Sequence, residues 1–333
     1  MRVGLALPHY DTSLAGEPAS WEGVKRIARL AEASGFDSLW VSDHVFLDWS
    51  KYGGPSTAQR ALECWTTMAA VAAVTERVRI GSMALCNDFR HPGLVAKMSA
   101  SLDVLSGGRL ELGLGAGWYE PEYAALGIEF DPPGVRIARL GESAEVIRSL
   151  WSGPTTHSGR YYELHDAICL PGPSGAAPPI WFGGKGDYLI KTAARHADGW
   201  NFSWVGAEDT YRERAAVADR TCEELGRDPS SLRRSVGVYV LAGTDVSDAQ
   251  ERFQRLASRT PPGVLGGTEG SAVSWEEFAA RGVAGTVGEV VDRLGRLKDL
   301  GVEEVIVGLG VLPFQVVDDE DVELVNTEVA RAL

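Results

Sequence analysis

The chain has 333 residues, 44% of them apolar and 23% charged, with a net charge of −14. That is the composition of an ordinary globular protein, long enough to bury a sizeable core, and its acidic balance argues against a nucleic-acid partner, which calls for a basic patch or stripe. No segment approaches the roughly 18 consecutive apolar residues of a membrane span, and residues 1–8 read as a short strand rather than a signal peptide, so a soluble, cytoplasmic protein is expected.

Strands and helices alternate along the chain. Residues 3–8 form a first apolar strand. Residues 20–34 place Trp21, Val24, Ile27, Ala28, Leu30 and Ala31 at helical spacing, and Gly35 ends that helix. Residues 37–42 make strand two, a helix over 62–74 precedes strand three at 77–85, and a helix over 92–105, with Pro92 in its first turn, precedes strand four at 109–115. A helix over 135–150 is followed by a stretch, 151–179, that breaks the rhythm, and within it 155–170 reads as a hairpin-like insertion. Strand five at 180–182, a helix at 189–197, strand six at 199–203, a helix at 208–225, strand seven at 235–242 and a helix at 248–257 follow. Residues 259–274, rich in Gly and Pro, read as a mobile loop, 275–281 as a short helix, 287–300 as a helix, 304–309 as strand eight and 318–333 as a closing helix. Eight strands, each followed by helical material, predict an α/β fold, a TIM (β/α)8 barrel with loop insertions, with a doubly wound sheet as the alternative. A single domain over 1–333 is expected, with an insertion near 155–175 and a mobile loop near 259–274.

In a barrel, the chemistry sits at the C-terminal strand ends. Strand one ends in Pro8-His9-Tyr10, strand two in Asp43-His44, strand three in Leu85-Cys86-Asn87 and strand six in Asn201-Phe202-Ser203-Trp204. Asp43 and His44 close an apolar run and do not suit a core, because burying charge without a partner is costly. Histidine is also suited to moving protons near neutral pH. The plainer alternative makes Asp43 a cap and His44 a loop residue. Gly115 and Gly117, beyond strand four, let a flat ligand lie against the backbone with their amides offered to ring carbonyls or developing negative charge, or else make a tight turn. Gly184, Lys185 and Gly186 precede a helix, whose free amides, with the lysine charge, suit a phosphate, although the pattern is neither a Walker loop nor a GxGxxG fingerprint. Glu120 and Glu122 are candidate acids or members of a solvated loop. His9, His91, His157, His165 and His196 are poorer candidates; His91 before Pro92 and His196 late in a helix suit structural or surface roles. Neither HExxH nor a His/Asp cluster points to a metal, GxSxG is missing, and Cys64, Cys86, Cys169 and Cys222 are too scattered for metal ligation or a disulfide framework, so they read as buried free thiols.

The run Gly35-Phe36-Asp37-Ser38-Leu39-Trp40-Val41-Ser42-Asp43-His44, the stretch 65–81, and Gly107-Gly108-Arg109 followed by Gly113-Leu114-Gly115-Ala116-Gly117-Trp118 resemble the luciferase-like flavin and deazaflavin oxidoreductases. The resemblance runs through most of the chain and is weakest at 155–175 and 255–280. It implies a bacterial luciferase-like TIM barrel holding an isoalloxazine-type ring at the strand ends. The ring leans on a non-proline cis peptide in a bulge on strand three, for which Met83–Ala84 is the candidate. The Ser42-Asp43-His44 ending is more similar to the branch using coenzyme F420 than to those using reduced FMN and oxygen, which often show Glu-His. It therefore implies an oxidoreductase passing a hydride between F420 and a small organic substrate. The alternative is an FMN-dependent monooxygenase; a barrel that binds a ligand without turnover is a third reading. By resemblance, Asp43 holds the deazaflavin and His44 lies near the hydride-transfer position, moving a proton or stabilising charge. Met83, Ala84, Cys86, Gly115, Ala116, Gly117 and Trp118 are implied around the coenzyme, and Gly184, Lys185 and Gly186 at its phosphate. Trp118 stands where some sugar-phosphate dehydrogenases of this branch carry a glutamate, which speaks against sugar-phosphate oxidation and suits either an apolar pocket wall or packing. Loops at 47–60 and 259–274 are expected to cover the pocket, and the resemblance implies a homodimer.

Overall fold

Near-continuous apolar runs suit parallel strands covered on both faces, and such runs form the sheet elements here. The computed structural model describes residues 1–204, 208–265, 273–312 and 314–333, with Arg281 described by its backbone alone. The principal strands are β1 (Arg2–Ala6), β2 (Ser38–Val41), β3 (Arg79–Ser82), β4 (Leu110–Gly115), β5 (Ile180–Gly183), β6 (Gly199–Phe202), β7 (Arg233–Gly243) and β8 (Glu304–Gly308). Every residue of β2, β4 and β8 is buried.

The chain divides into two compact units: Met1–Thr67 with Trp204–Thr210 and Ser235–Leu333, and Met68–Ser203 with Tyr211–Arg234. In the first, β7, β8, β1 and β2 lie side by side in parallel, with Glu304 opposite Arg2 and Gly4 opposite Ser38. A short strand, Val283–Thr286, which the helical reading of its flanks had hidden, pairs with β7. In the second, β3, β4, β5 and β6 are parallel in chain order. The first and last strands pair directly, and neither unit contains the reversal of strand order that marks a doubly wound sheet.

Local signals fix the helices. Ser20 accepts from the Gly23 amide to start Trp21–Ser34, and Gly35, at φ 105°, ends it in the left-handed conformation. Pro92 opens Pro92–Ser106 with the His91 ring accepting from the Gly93 amide, the structural role expected of His91. Thr286 and Glu289 form a reciprocal capping box at Val287–Asp299. Thr155–Ser158 and Glu163–Ala167 pair antiparallel as a hairpin. Glu120 and Glu122 do not lie in a solvated loop: they open the helix Glu120–Leu126, and Glu122 is buried. The closing helix is α-helical only over Asp319–Leu324, then passes through a π turn, Val325–Val329, and a 3-10 turn, Ala330–Ala332. Of the stretch 259–274, read as a mobile loop, Arg259 still belongs to the helix Val246–Arg259, and 266–272 lie outside the described residues. All four cysteines are buried thiols outside any disulfide. Among the described residues no helix is long and apolar enough to cross a membrane.

Two buried acids interrupt the apolar strands, and each is matched. Glu304 accepts from the Ser38 hydroxyl and, at 3.3 Å, from the Trp40 indole, and pairs with Arg2 at 3.0 Å. Glu111 accepts from the Trp181 indole at 2.5 Å and pairs with Arg79, with Arg233 at 3.7 Å. Removing one partner of a buried pair leaves an uncompensated charge. Glu111→Ala is accordingly expected to lower unfolding free energy by about 3–5 kcal/mol, read as the shift in a urea denaturation midpoint at constant slope.

Candidate active site

In the first unit, β2 ends at Val41, and Ser42, Asp43 and His44 follow it directly. Asp43 is buried and His44 half-buried. The His44 ring lies 6.2 Å from that of Tyr10, just past β1. Ser42 ties the two strand tips together. Its hydroxyl bonds to the Tyr10 phenol and lies 3.2 Å from His9 Nε2, while His9 Nδ1 lies 2.8 Å from the Leu7 carbonyl. Leu7 O and Ser42 O, the latter 3.2 Å from Nε2, can only accept, so the neutral His9 ring donates to one of these two carbonyls, while the Ser42 hydroxyl links it to Tyr10. His9, a poor candidate in the sequence, thus holds the residue that precedes Asp43.

His9 is fully buried, and that burial lowers its pKa from 6.5 to about 4 despite the neighbouring carbonyls. As pH falls, the unfolded chain therefore takes up this proton before the folded one. The stability His9 contributes is complete above pH 6.5 and is lost as pH falls towards 4, at most about 3 kcal/mol. Urea midpoints across that range are expected to fall less steeply for His9→Gln than for the wild type.

In the second unit, β3 ends at Ser82, the Met83–Ala84 peptide that follows is cis, and pairing with β4 resumes at Leu85–Cys86. The bulge is pinned from both sides. Ser82 Oγ donates to the Gly113 carbonyl at 2.7 Å and accepts its amide at 3.1 Å. A Cβ on Gly113 would lie 1.9 Å from the Ser82 carbonyl oxygen, so only glycine fits. Cβ atoms on Gly115 and Gly183 would each lie 3.2 Å from the Ala84 methyl, so glycine at the ends of β4 and β5 makes room for the bulge. Met83 and Cys86 are buried beside it.

Beyond β4, Gly117 has φ 74°, and its Cβ would lie 1.8 Å from the Tyr123 hydroxyl and 3.0 Å from Cys86 Sγ. Tyr123 lies 3.1 Å from that sulfur and donates to Asp88 at 3.2 Å; burial pushes its phenol well above the ordinary range. Arg136, buried on a neighbouring helix, donates to the Ala116 carbonyl at 3.0 Å, to the Gly117 carbonyl and to Asp131 O at 2.7 Å. Trp118 is 41% exposed, with its ring 5.3 Å from that of Tyr119. A further turn follows β5. There the Gly184 amide donates to Asn201 O at 3.0 Å, Gly186 caps the helix Asp187–His196 with open space where a Cβ would be, and exposed Lys185 reaches over the Phe202 ring at 5.2 Å. Arg136 and Tyr123 carry no sequence signal, because a mid-helix arginine or tyrosine looks the same whether it faces water or a loop.

These strand-end residues agree with one family. Residues 1–304 match the luciferase-like monooxygenase family. The chain belongs to that family. A curated relative, the F420-dependent glucose-6-phosphate dehydrogenase of Amycolatopsis mediterranei, is 37% identical over 207 residues, 59% of this chain; the matched part spans only 60% of that protein. A protein of the same name from Microbacterium testaceum is 32% identical over 303 residues, 83% of this chain and 84% of its own. A solved F420-dependent secondary alcohol dehydrogenase, in complex with an F420-acetone adduct, superposes with a TM-score of 0.76 at 22% identity, covering 100% of this chain and 99% of that one. That likeness shows the fold of the luciferase-like chain: eight parallel strands closed into a TIM-type barrel with surrounding helices.

Proposed function

We propose that this luciferase-like family member is a cytoplasmic, coenzyme F420-dependent oxidoreductase acting on a small organic substrate. The observation that carries the reading is buried Asp43 followed by half-buried His44 at the end of β2, in a chain whose curated relatives are named F420-dependent. A barrel gathers its chemistry at this end of its strands. The Met83–Ala84 bulge fits a flat ring by offering backbone rather than bulk, whereas the space at Gly115 and Gly117 is taken by Ala84 and Tyr123. Deazaflavin, when bound, supplies a two-electron hydride carrier that reacts poorly with oxygen.

The protein's part is to bind, orient and handle the proton. Asp43, with little water to compete, anchors the coenzyme by accepting hydrogen bonds. His44 gives a proton to the substrate oxygen or removes one, while the Tyr10–Ser42–His9 chain fixes the backbone just before it. Arg136 keeps the Ala116–Gly117 carbonyls turned to itself, which fixes the loop carrying Trp118. Cys86 braces the same loop through Tyr123, and Lys185 and Gly186 face the phosphate, the Gly184 amide being bonded to Asn201 O. The test is to follow the visible absorbance of the deazaflavin and oxygen uptake together. The reading expects coenzyme turnover without oxygen consumption; oxygen uptake with reduced FMN and an organic substrate would establish a monooxygenase instead.

A further inference from the structure

The first unit carries a connected set of aromatic rings whose role in the proposed reaction has not been assigned. The Tyr10 ring lies 6.2 Å from His44, 5.8 Å from Trp49 and 6.2 Å from Phe314. Phe314 meets Trp204 edge-on at 5.7 Å, and Trp204 stacks on Tyr239 at 4.4 Å with planes 3° apart. Tyr52 adds to the set 5.9 Å from Trp49. Tyr10, Trp49 and Phe314 are buried, whereas His44, Tyr52, Trp204 and Tyr239 are half-buried, so a buried layer of rings backs an accessible one. Along 235–243 of β7, Tyr239 alone is not buried.

The backbone is shaped around these rings. Trp204 and Phe314 sit at φ 56° and 58°, the left-handed region that bulky residues rarely adopt. Gly308 on β8 leaves the stack its space: a Cβ there would lie 3.1 Å from Trp204 Cζ3 and 3.3 Å from Tyr239 Cδ1. The set itself contains no carboxylate, lysine or arginine. Nearby Arg60 pairs with Asp11, and Arg259 donates to Val317 O. Ring faces carry the negative side of the aromatic quadrupole, and desolvating a phosphate dianion against them without a cation is costly.

Resting on the F420-dependent reading above, we infer that the substrate is an uncharged, mainly apolar ketone, or the matching secondary alcohol, lying against Trp204 and Tyr239 with its oxygen at His44. It is not a sugar phosphate. In the reducing direction the C=O π bond breaks, the carbon gains a hydride and the oxygen a proton, and reduced deazaflavin gives up two electrons and is oxidised. The alcohol runs the same step in reverse.

Cyclohexanone, acetophenone and glucose 6-phosphate serve as probes. Binding is read by ligand-observed NMR without coenzyme, turnover by deazaflavin absorbance, and coenzyme affinity by its fluorescence. Both ketones are expected to bind and turn over, and the sugar phosphate to do neither. Trp204→Ala is expected to raise ketone Kd and KM by about tenfold or more at unchanged coenzyme Kd; Trp204→Phe recovers most of the loss, and Gly308→Ala, which presses on both rings, also weakens the ketones. The inference is overturned if glucose 6-phosphate binds more tightly than both ketones, if neither ketone binds, or if Trp204→Ala and Gly308→Ala leave ketone Kd unchanged. Failure of the wild type to bind deazaflavin overturns the F420 reading instead, and the NMR arm still decides the apolar seat.

Discussion

Replacing His44 by alanine is expected to lower kcat by roughly 10²–10⁴, the usual contribution of a positioned proton donor or acceptor, while the Kd for deazaflavin stays within about threefold. His44 is half-buried beside Tyr10, directly after the residue assigned as coenzyme anchor. Loss of its imidazole removes the proton carrier without touching the bulge or the glycine loop. Steady-state turnover and a fluorescence titration separate the two effects. Asp43→Ala should show the opposite pattern, with coenzyme affinity falling first. If His44→Ala left turnover unchanged, another group moves the proton; a wild type that binds deazaflavin but turns nothing over is a barrel that binds without turnover.

Gly117→Ala is expected to damage the protein more than its size suggests. The new methyl would fall 1.8 Å from the Tyr123 hydroxyl, at a φ of 74° that disfavours any L side chain. Overpacking and backbone strain each cost about 1–3 kcal/mol, so a stability loss of about 2–6 kcal/mol is expected, with deazaflavin affinity reduced by about tenfold or more as the loop held by Arg136 shifts. Gly127→Ala is the control. Its φ is 69°, yet nothing lies within 4 Å of its added methyl, so the backbone cost of about 1 kcal/mol is expected alone. Urea denaturation of the two variants compares them directly.

How much of this was legible in the sequence follows from what sequence patterns encode. The strands and most helices could be read because apolar periodicity, Ser20, Gly35, Pro92 and Gly107 are local signals. Apolar spacing carries strand three through to residue 85, whereas pairing breaks at Met83–Ala84; resemblance, not spacing, points to the bulge. The glycines after β4 had two open readings, ligand seat or turn. Geometry adds a third: Gly115 and Gly183 make room for Ala84, and Gly117 for Tyr123. Glu122, Arg136 and the Trp204–Tyr239 stack depend on contacts between residues far apart in the chain, which composition and periodicity do not carry. His9 could be seen in the sequence, but its importance could not, because that comes from its link to Ser42.

Parallel equilibrium titrations of the purified protein with F420 and FMN decide whether this luciferase-like chain uses deazaflavin rather than FMN. The protein is expected to perturb F420 fluorescence at micromolar concentrations, to bind FMN weaker by about tenfold or more, and to lose the F420 signal in Asp43→Ala. Tight FMN binding with no F420 binding would overturn the assignment of deazaflavin.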